Sequence, residues 1–185
     1  MATHGMIDLE TLSTRPDATV LTVGAIKFDP YTEQEPHNGL YLRLNVDEQS
    51  DLNRHVDNGT LEWWGKQDEK IREEALGDED RVPLTEFVRQ LNKWCVGLDE
   101  LWCQGPLFDY AILQNLYAQL ETPVPWNYWQ IRDSRTLFGM LPEDPRKGIQ
   151  MDLHNALADC YFQAKSVQKA YKLSLIHISE PTRLR

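Results

Sequence analysis

The hydrophobic period of this chain changes near residue 60, and that change limits the fold more than any other feature. Before it lie three extended segments. "GMIDLET" (5–11) is a short apolar run that carries two acids. "ATVLTVGAIKF" (18–28) is rich in β-branched residues and ends at Asp29-Pro30, a strand followed by a turn. "GLYLRLN" (39–45) alternates apolar and polar side chains, as a half-buried strand does. Their short connections predict an antiparallel meander. Beyond it, "TLEWWGKQ" (60–67) and "EKIREEAL" (69–76) read as short helices. The stretch 84–98 has apolar residues at 84, 87, 88, 91, 94, 95 and 98, a 3.6-residue period with Thr85 as its expected N-cap. "ELWCQ" (100–104) reads as a buried strand, 108–120 as a helix, "YWQIRDS" (128–134) as a fifth strand and 153–173 as a last long helix. Strands first, then helices alternating with strands, predict an α/β fold with a five-stranded mixed sheet flanked by helices.

A chain of 185 residues suffices for one domain with a real core. No stretch approaches the ~18 apolar residues of a membrane span, and Asp8 and Glu10 interrupt the first apolar run, so no signal peptide or membrane partner is expected. Cys95, Cys103 and Cys160 form no CxxC pair and are expected as buried reduced thiols of a cytoplasmic protein. The tail 174–185 has scattered apolar residues and contains Pro181; it is set aside from the fold, with a cloning or read-through scar as the expected origin. The net charge of −10 weighs more. A protein that grips nucleic acid through phosphates carries a basic face. Either this chain does not touch nucleic acid, or metal ions supply the positive charge.

The acids themselves bear on this choice. Asp8 and Glu10 are two apart on a strand, so both carboxylates share one face. Adjacent carboxylates favour a shared proton or a cation between them, and oxygen-only ligands select hard cations such as Mg²⁺ or Mn²⁺. The alternative is an edge strand with a solvated acidic face. Asp109 follows a buried strand and opens a helix, where an aspartate also serves as a cap. Asp159 sits among Ala156, Ala158 and Cys160 on the last helix, small apolar neighbours that do not suit a solvated carboxylate. His154 precedes Asp159 by five residues, about 140° around a helix, so the two cannot share one stripe. If both serve one site, His154 comes from the first turn or the loop before it; otherwise it is the polar start of an amphipathic helix.

In order these residues read D-x-E, then FD, then H-x-x-x-x-D. With "MIDLET", "TLEWWGKQ", "LWCQGPLFDYAIL", "YWQIRDSRT" and "HNALADC", from residue 6 to about 160, the chain resembles the DEDDh 3′–5′ exonucleases of ribonuclease H-like fold. It is most similar in motif to the bacteriophage exonuclease A type and the small exoribonucleases. The resemblance implies a single exonuclease domain over 1–173. It implies that Asp8 bridges two divalent ions, Mg²⁺ or Mn²⁺, that Glu10 and Asp159 complete one ion's site, that Asp109 holds the second, and that His154 is the general base. It implies substrate contacts from Thr11, Leu12 (a wedge on the last base), Trp64, Gln67, Phe108 and Arg135. One of Trp63 and Trp64 would stack on a base. Arg132 and Arg135 would contact phosphate or pair with Asp133. The expected partners are 3′ ends of single-stranded nucleic acid, DNA or RNA undecided, with a homodimer left open. The rival readings are a non-catalytic binding module that retains the fold, and an acidic protein with no metal site.

Overall fold

The structure is a computed structural model and describes residues 3–149 and 154–179. Strands β1 (His4–Thr11), β2 (Val20–Phe28) and β3 (His37–Leu44) form the expected antiparallel meander. Short helices α1 (Val46–Asp51), α2 (Asn58–Gly65) and α3 (Glu69–Leu76) follow, each begun by an Asn or Asp side chain that accepts a backbone N–H. Then come β4 (Arg81–Val82), α4 (Leu84–Cys95), β5 (Glu100–Cys103), α5 (Asp109–Gln119), β6 (Ile131–Asp133), α6 (Ser134–Gly139) and α7 (Ala156–Ser179). The sheet order is β4-β3-β2-β1-β5-β6, with β1–β5, β5–β6 and β3–β4 parallel.

The mixed sheet therefore has six strands, not five. The extra one, β4, is two residues long, too short to show a period, and Arg81 anchors it by donating to the carbonyls of Leu44 and Ala75, each at 2.9 Å. The expected strand 128–134 shrinks to 131–133: Tyr128–Gln130 is a 3-10 turn closed by a reciprocal Asn127–Gln130 cap, and Ser134 already starts α6. Thr85 does not cap α4. The cap position is Pro83, and Glu48 Oε2, reaching from α1, accepts from Leu84 N at 2.7 Å. The last helix continues to Ser179, six residues into the segment that the sequence reading set aside; its expected start at 153, and 180–185, lie outside the described residues.

Period two divides β1 between two cores. Ile7 and Leu9 face α4 and α5, where Phe87, Leu91, Ile112, Leu113 and Leu116 are fully buried. Met6 faces α7, with Trp102, Cys160, Ala164, Val167 and Ala170. All three cysteines are buried and free. The approach of α7 depends on Gly24. It pairs with Asp8 across β1–β2, and a Cβ there would overlap the Ala156 carbonyl and the Leu157 nitrogen. A bare backbone at that position lets the first turn of α7 lie against the sheet beside Asp8.

Candidate active site

Asp8 and Glu10 project from the α7 side of β1, and Asp159 meets them from the first turn of α7. One carboxylate oxygen from each of the three lies within 4.8 Å of the others. Asp109 opens α5 directly after β5, the parallel neighbour of β1, and is 3% exposed. It stands outside that triangle but raises the proton affinity of both Asp8 and Glu10 by charge repulsion. The order D-x-E, FD and H-x-x-x-x-D thus brings four carboxylates to one end of the central strands.

Their electrostatics follow from burial and likeness of charge. Burial pushes the Asp8 carboxyl well above the usual range, and Asp109, Glu10 and Asp159 add to it. Burial first, then Asp159 and Asp109, raises Glu10 to about 8. Burial raises Asp109 to about 7 against opposing hydrogen bonds from its own and the Leu9 backbone and from the Cys103 thiol, and against the Arg135 charge. Neither Asp8 nor Glu10 has an ion-pair partner among the described residues. Oxygen-only donors at this spacing, crowded enough to hold protons near neutrality, fit a hard divalent cation. Asp8, Glu10 and Asp159 are the residues that would hold it, with Asp109 beside them.

His154 lies in the loop just ahead of α7, with a positive φ of 70°. Asn155 caps the helix behind it, accepting from Ala158 N at 3.0 Å. The His154 backbone N–H donates to Asp159 Oδ2 at 3.1 Å, so the histidine is tied to the carboxylate it precedes. Its ring stands edge-on to Trp63 at 4.8 Å between centroids. Burial holds its imidazole below the ordinary 6.5.

The expected substrate contacts divide. Trp64 is 1% exposed, its indole N–H donating to Thr11 O at 2.9 Å, so it has no face to offer a base; Trp63, 41% exposed, does. Of the two adjacent indoles, Trp63 is therefore the exposed one and Trp64 the buried one. Leu12 is buried against Leu21, Trp64 and Ala75, and Thr11 is buried too, its hydroxyl donating to Ser13 O at 2.7 Å. Phe108 packs part-buried against the α4–α5 core. Gln67 is part-buried, and its amide donates to Trp63 O at 3.1 Å. Arg135 is exposed and acts on Asp109, while Arg132 pairs with Glu100 at 2.7 Å and not with Asp133. Sequence reasoning missed Gln163, whose amide donates to Asp8 Oδ1 at 2.9 Å. Its spacing of four from Asp159, one turn along the same stripe, was the available signal.

Comparison with solved structures places this geometry. Exonuclease I superposes with a TM-score of 0.67 at 16% identity, over 96% of this chain and 44% of that chain. E. coli exonuclease I in complex with a dT13 oligonucleotide gives 0.63 at 16% identity, over 96% and 43%. The chain thus spans less than half the length of those relatives. The nuclease domain of 3′hExo, a DEDDh family member, bound to rAMP, gives 0.58 at 10% identity, over 96% and 92%. These likenesses show the ribonuclease H-like α/β fold. No curated protein matches the chain. No described helix is long and apolar enough to cross a membrane. The family model described as the 3′–5′ exoribonuclease Rv2179c-like domain matches residues 3–171, nearly the whole length, and the chain belongs to that family.

Proposed function

We propose that this chain is a metal-dependent 3′–5′ exonuclease that shortens single-stranded nucleic acid, with residues 1–173 as its catalytic domain. The observation that carries the reading is the carboxylate triangle of Asp8, Glu10 and Asp159, drawn from two elements 150 residues apart and flanked by Asp109. A solvated acidic face has no reason to crowd carboxylates against their mutual repulsion.

When bound, two divalent ions, Mg²⁺ or Mn²⁺, would polarise the attacking water and stabilise the departing oxygen of an in-line displacement. The chain's own residues supply the rest. Asp8, Glu10 and Asp159 would hold the ions, and Asp109 would complete the set. His154, kept neutral by burial, takes the proton of the water as its oxygen bonds to phosphorus and the P–O3′ bond breaks, and the departing O3′ takes a proton from solvent. The products are a nucleoside 5′-monophosphate and a strand shorter by one nucleotide. Trp63 offers an aromatic face to a base near the 3′ end, and Arg135 an exposed guanidinium to phosphate.

RNA is the favoured substrate, supported by the family's exoribonuclease description; the exonuclease I complexes with DNA oligonucleotides keep DNA as the second reading. End-labelled RNA and DNA oligomers of matched sequence, incubated with Mg²⁺ or Mn²⁺, test both. A ladder receding from the 3′ end, lost in EDTA and in Asp8→Ala, is expected. Absence of any ladder, or its persistence in Asp8→Ala, would refute the proposal.

A further inference from the structure

We propose that Gln163 is a positioning residue that sets the Asp8 carboxylate for divalent metal, a role that rests on the metal-centre reading above. Gln163 lies on α7 one turn beyond Asp159, on the stripe that faces β1, and is 5% exposed. Its Nε2 donates to Asp8 Oδ1 at 2.9 Å, while its Oε1 is buried with no hydrogen-bond partner among the described residues.

That half-satisfied amide is not explained by packing. A buried acceptor without a partner costs stability, and an apolar side chain of similar volume would fill the same space without that cost. The amide supplies what an apolar group cannot, an N–H aimed at an anion. With Asp8 ionised, as a metal ligand must be, the opposite orientation would set Oε1 against Oδ1, two acceptors with no proton between them, so the contact to the ionised carboxylate fixes which way the amide points. A lysine or arginine there would also donate, but its positive charge would compete with the cation. The neutral amide fixes the Asp8 side chain and leaves its full negative charge for metal. Held this way, Asp8 keeps an oxygen within 4.8 Å of those of Glu10 and Asp159. Gln163 touches no reacting atom in this account; it acts through Asp8, as hydrogen-bond partners of metal ligands generally do.

The test is calorimetric titration of Mn²⁺ into the metal-stripped full chain, comparing wild type, Asp8→Ala, Gln163→Met and Gln163→Asn, each shown folded by a cooperative melt in EDTA. Met matches the volume and removes the donor; Asn keeps the amide but withdraws it by one methylene. Either Gln163 variant should bind Mn²⁺ about 10- to 100-fold more weakly, the usual cost of removing such a partner. A purely structural role would lower the melting temperature and leave Mn²⁺ affinity unchanged. If Gln163→Met fails to fold, Gln163→Asn decides. Should the wild type take up no Mn²⁺, or Asp8→Ala bind it as tightly as wild type, the metal-centre reading fails and this role with it. Should Asp8→Ala weaken binding while every folded Gln163 variant stays within about twofold of wild type, the metal centre stands and the role of Gln163 is overturned.

Discussion

Replacing Gly24 by alanine should damage the site without touching any charged group. The glycine pairs with Asp8, and a Cβ there meets the carbonyl carbon and oxygen of Ala156 and the nitrogen of Leu157. These are backbone atoms of the first turn of α7, so no side-chain rotation relieves the overlap. That Cβ would lie 2.1 Å from the Ala156 carbonyl carbon, so restoring ordinary contact, ~3.5–4.0 Å between carbons, requires that turn to withdraw by roughly 1.4–1.9 Å. Asp159 rides on the turn and His154 immediately precedes it. Misplacement by about 1 Å in a positioned site costs on the order of 10²-fold in rate. Overpacking of this kind costs ~1–3 kcal/mol, about 2–12 °C in Tm for a chain of this size. Initial rates on an end-labelled oligomer and thermal melts of the same preparation measure both. Gly65→Ala is the control, because a Cβ there meets nothing within 4 Å. Wild-type rate and Tm in Gly24→Ala would refute the claim that close approach of α7 builds the site.

Three further outcomes follow from the same geometry. His154→Ala should lower turnover by ~10²–10⁴ with Mn²⁺ affinity nearly unchanged, measured by single-turnover kinetics beside calorimetry; near-native turnover would return the histidine to a structural role. Trp63→Ala should weaken oligomer binding by ~1–3 kcal/mol with Tm preserved, whereas Trp64→Ala should cost ~3–5 kcal/mol of stability, and the reverse pattern in anisotropy and melting data would show that the stacking face was misassigned. Glu10 binds its proton up to about pH 8 in the metal-free fold but only to about 4.5 when unfolded, so the native state holds more protons and stability falls as pH rises between those values. Melts in EDTA across that window should show the decline and melts with Mn²⁺ should not; a flat EDTA profile would contradict it.

The sequence by itself determined the elements with a clear period and the faces they bury. β1, β2, β3, α4 and α5 lie within a few residues of where alternation and the 3.6-residue spacing put them, because side-chain direction in a strand or helix is a local property. The same property put Asp8 and Glu10 on one face and kept His154 off the stripe of Asp159, while its place in the loop was one of the alternatives the spacing left open. Which face meets which neighbour is a long-range matter, and there the tertiary structure decided. Trp63 and Trp64 are equivalent in sequence, and only the packing of α2 against Leu12 and Leu21 buries one and exposes the other. The two residues of β4 have no period at all; pairing with β3 makes them a strand. Nothing local to "TVGAI" marks Gly24 as the gap through which a helix more than 130 residues later reaches Asp8. Nor does anything local say that the buried amide of Gln163 meets a carboxylate 155 residues away. Periodicity records how a segment divides inside from outside, and contacts between distant segments exist only once the chain has closed on itself.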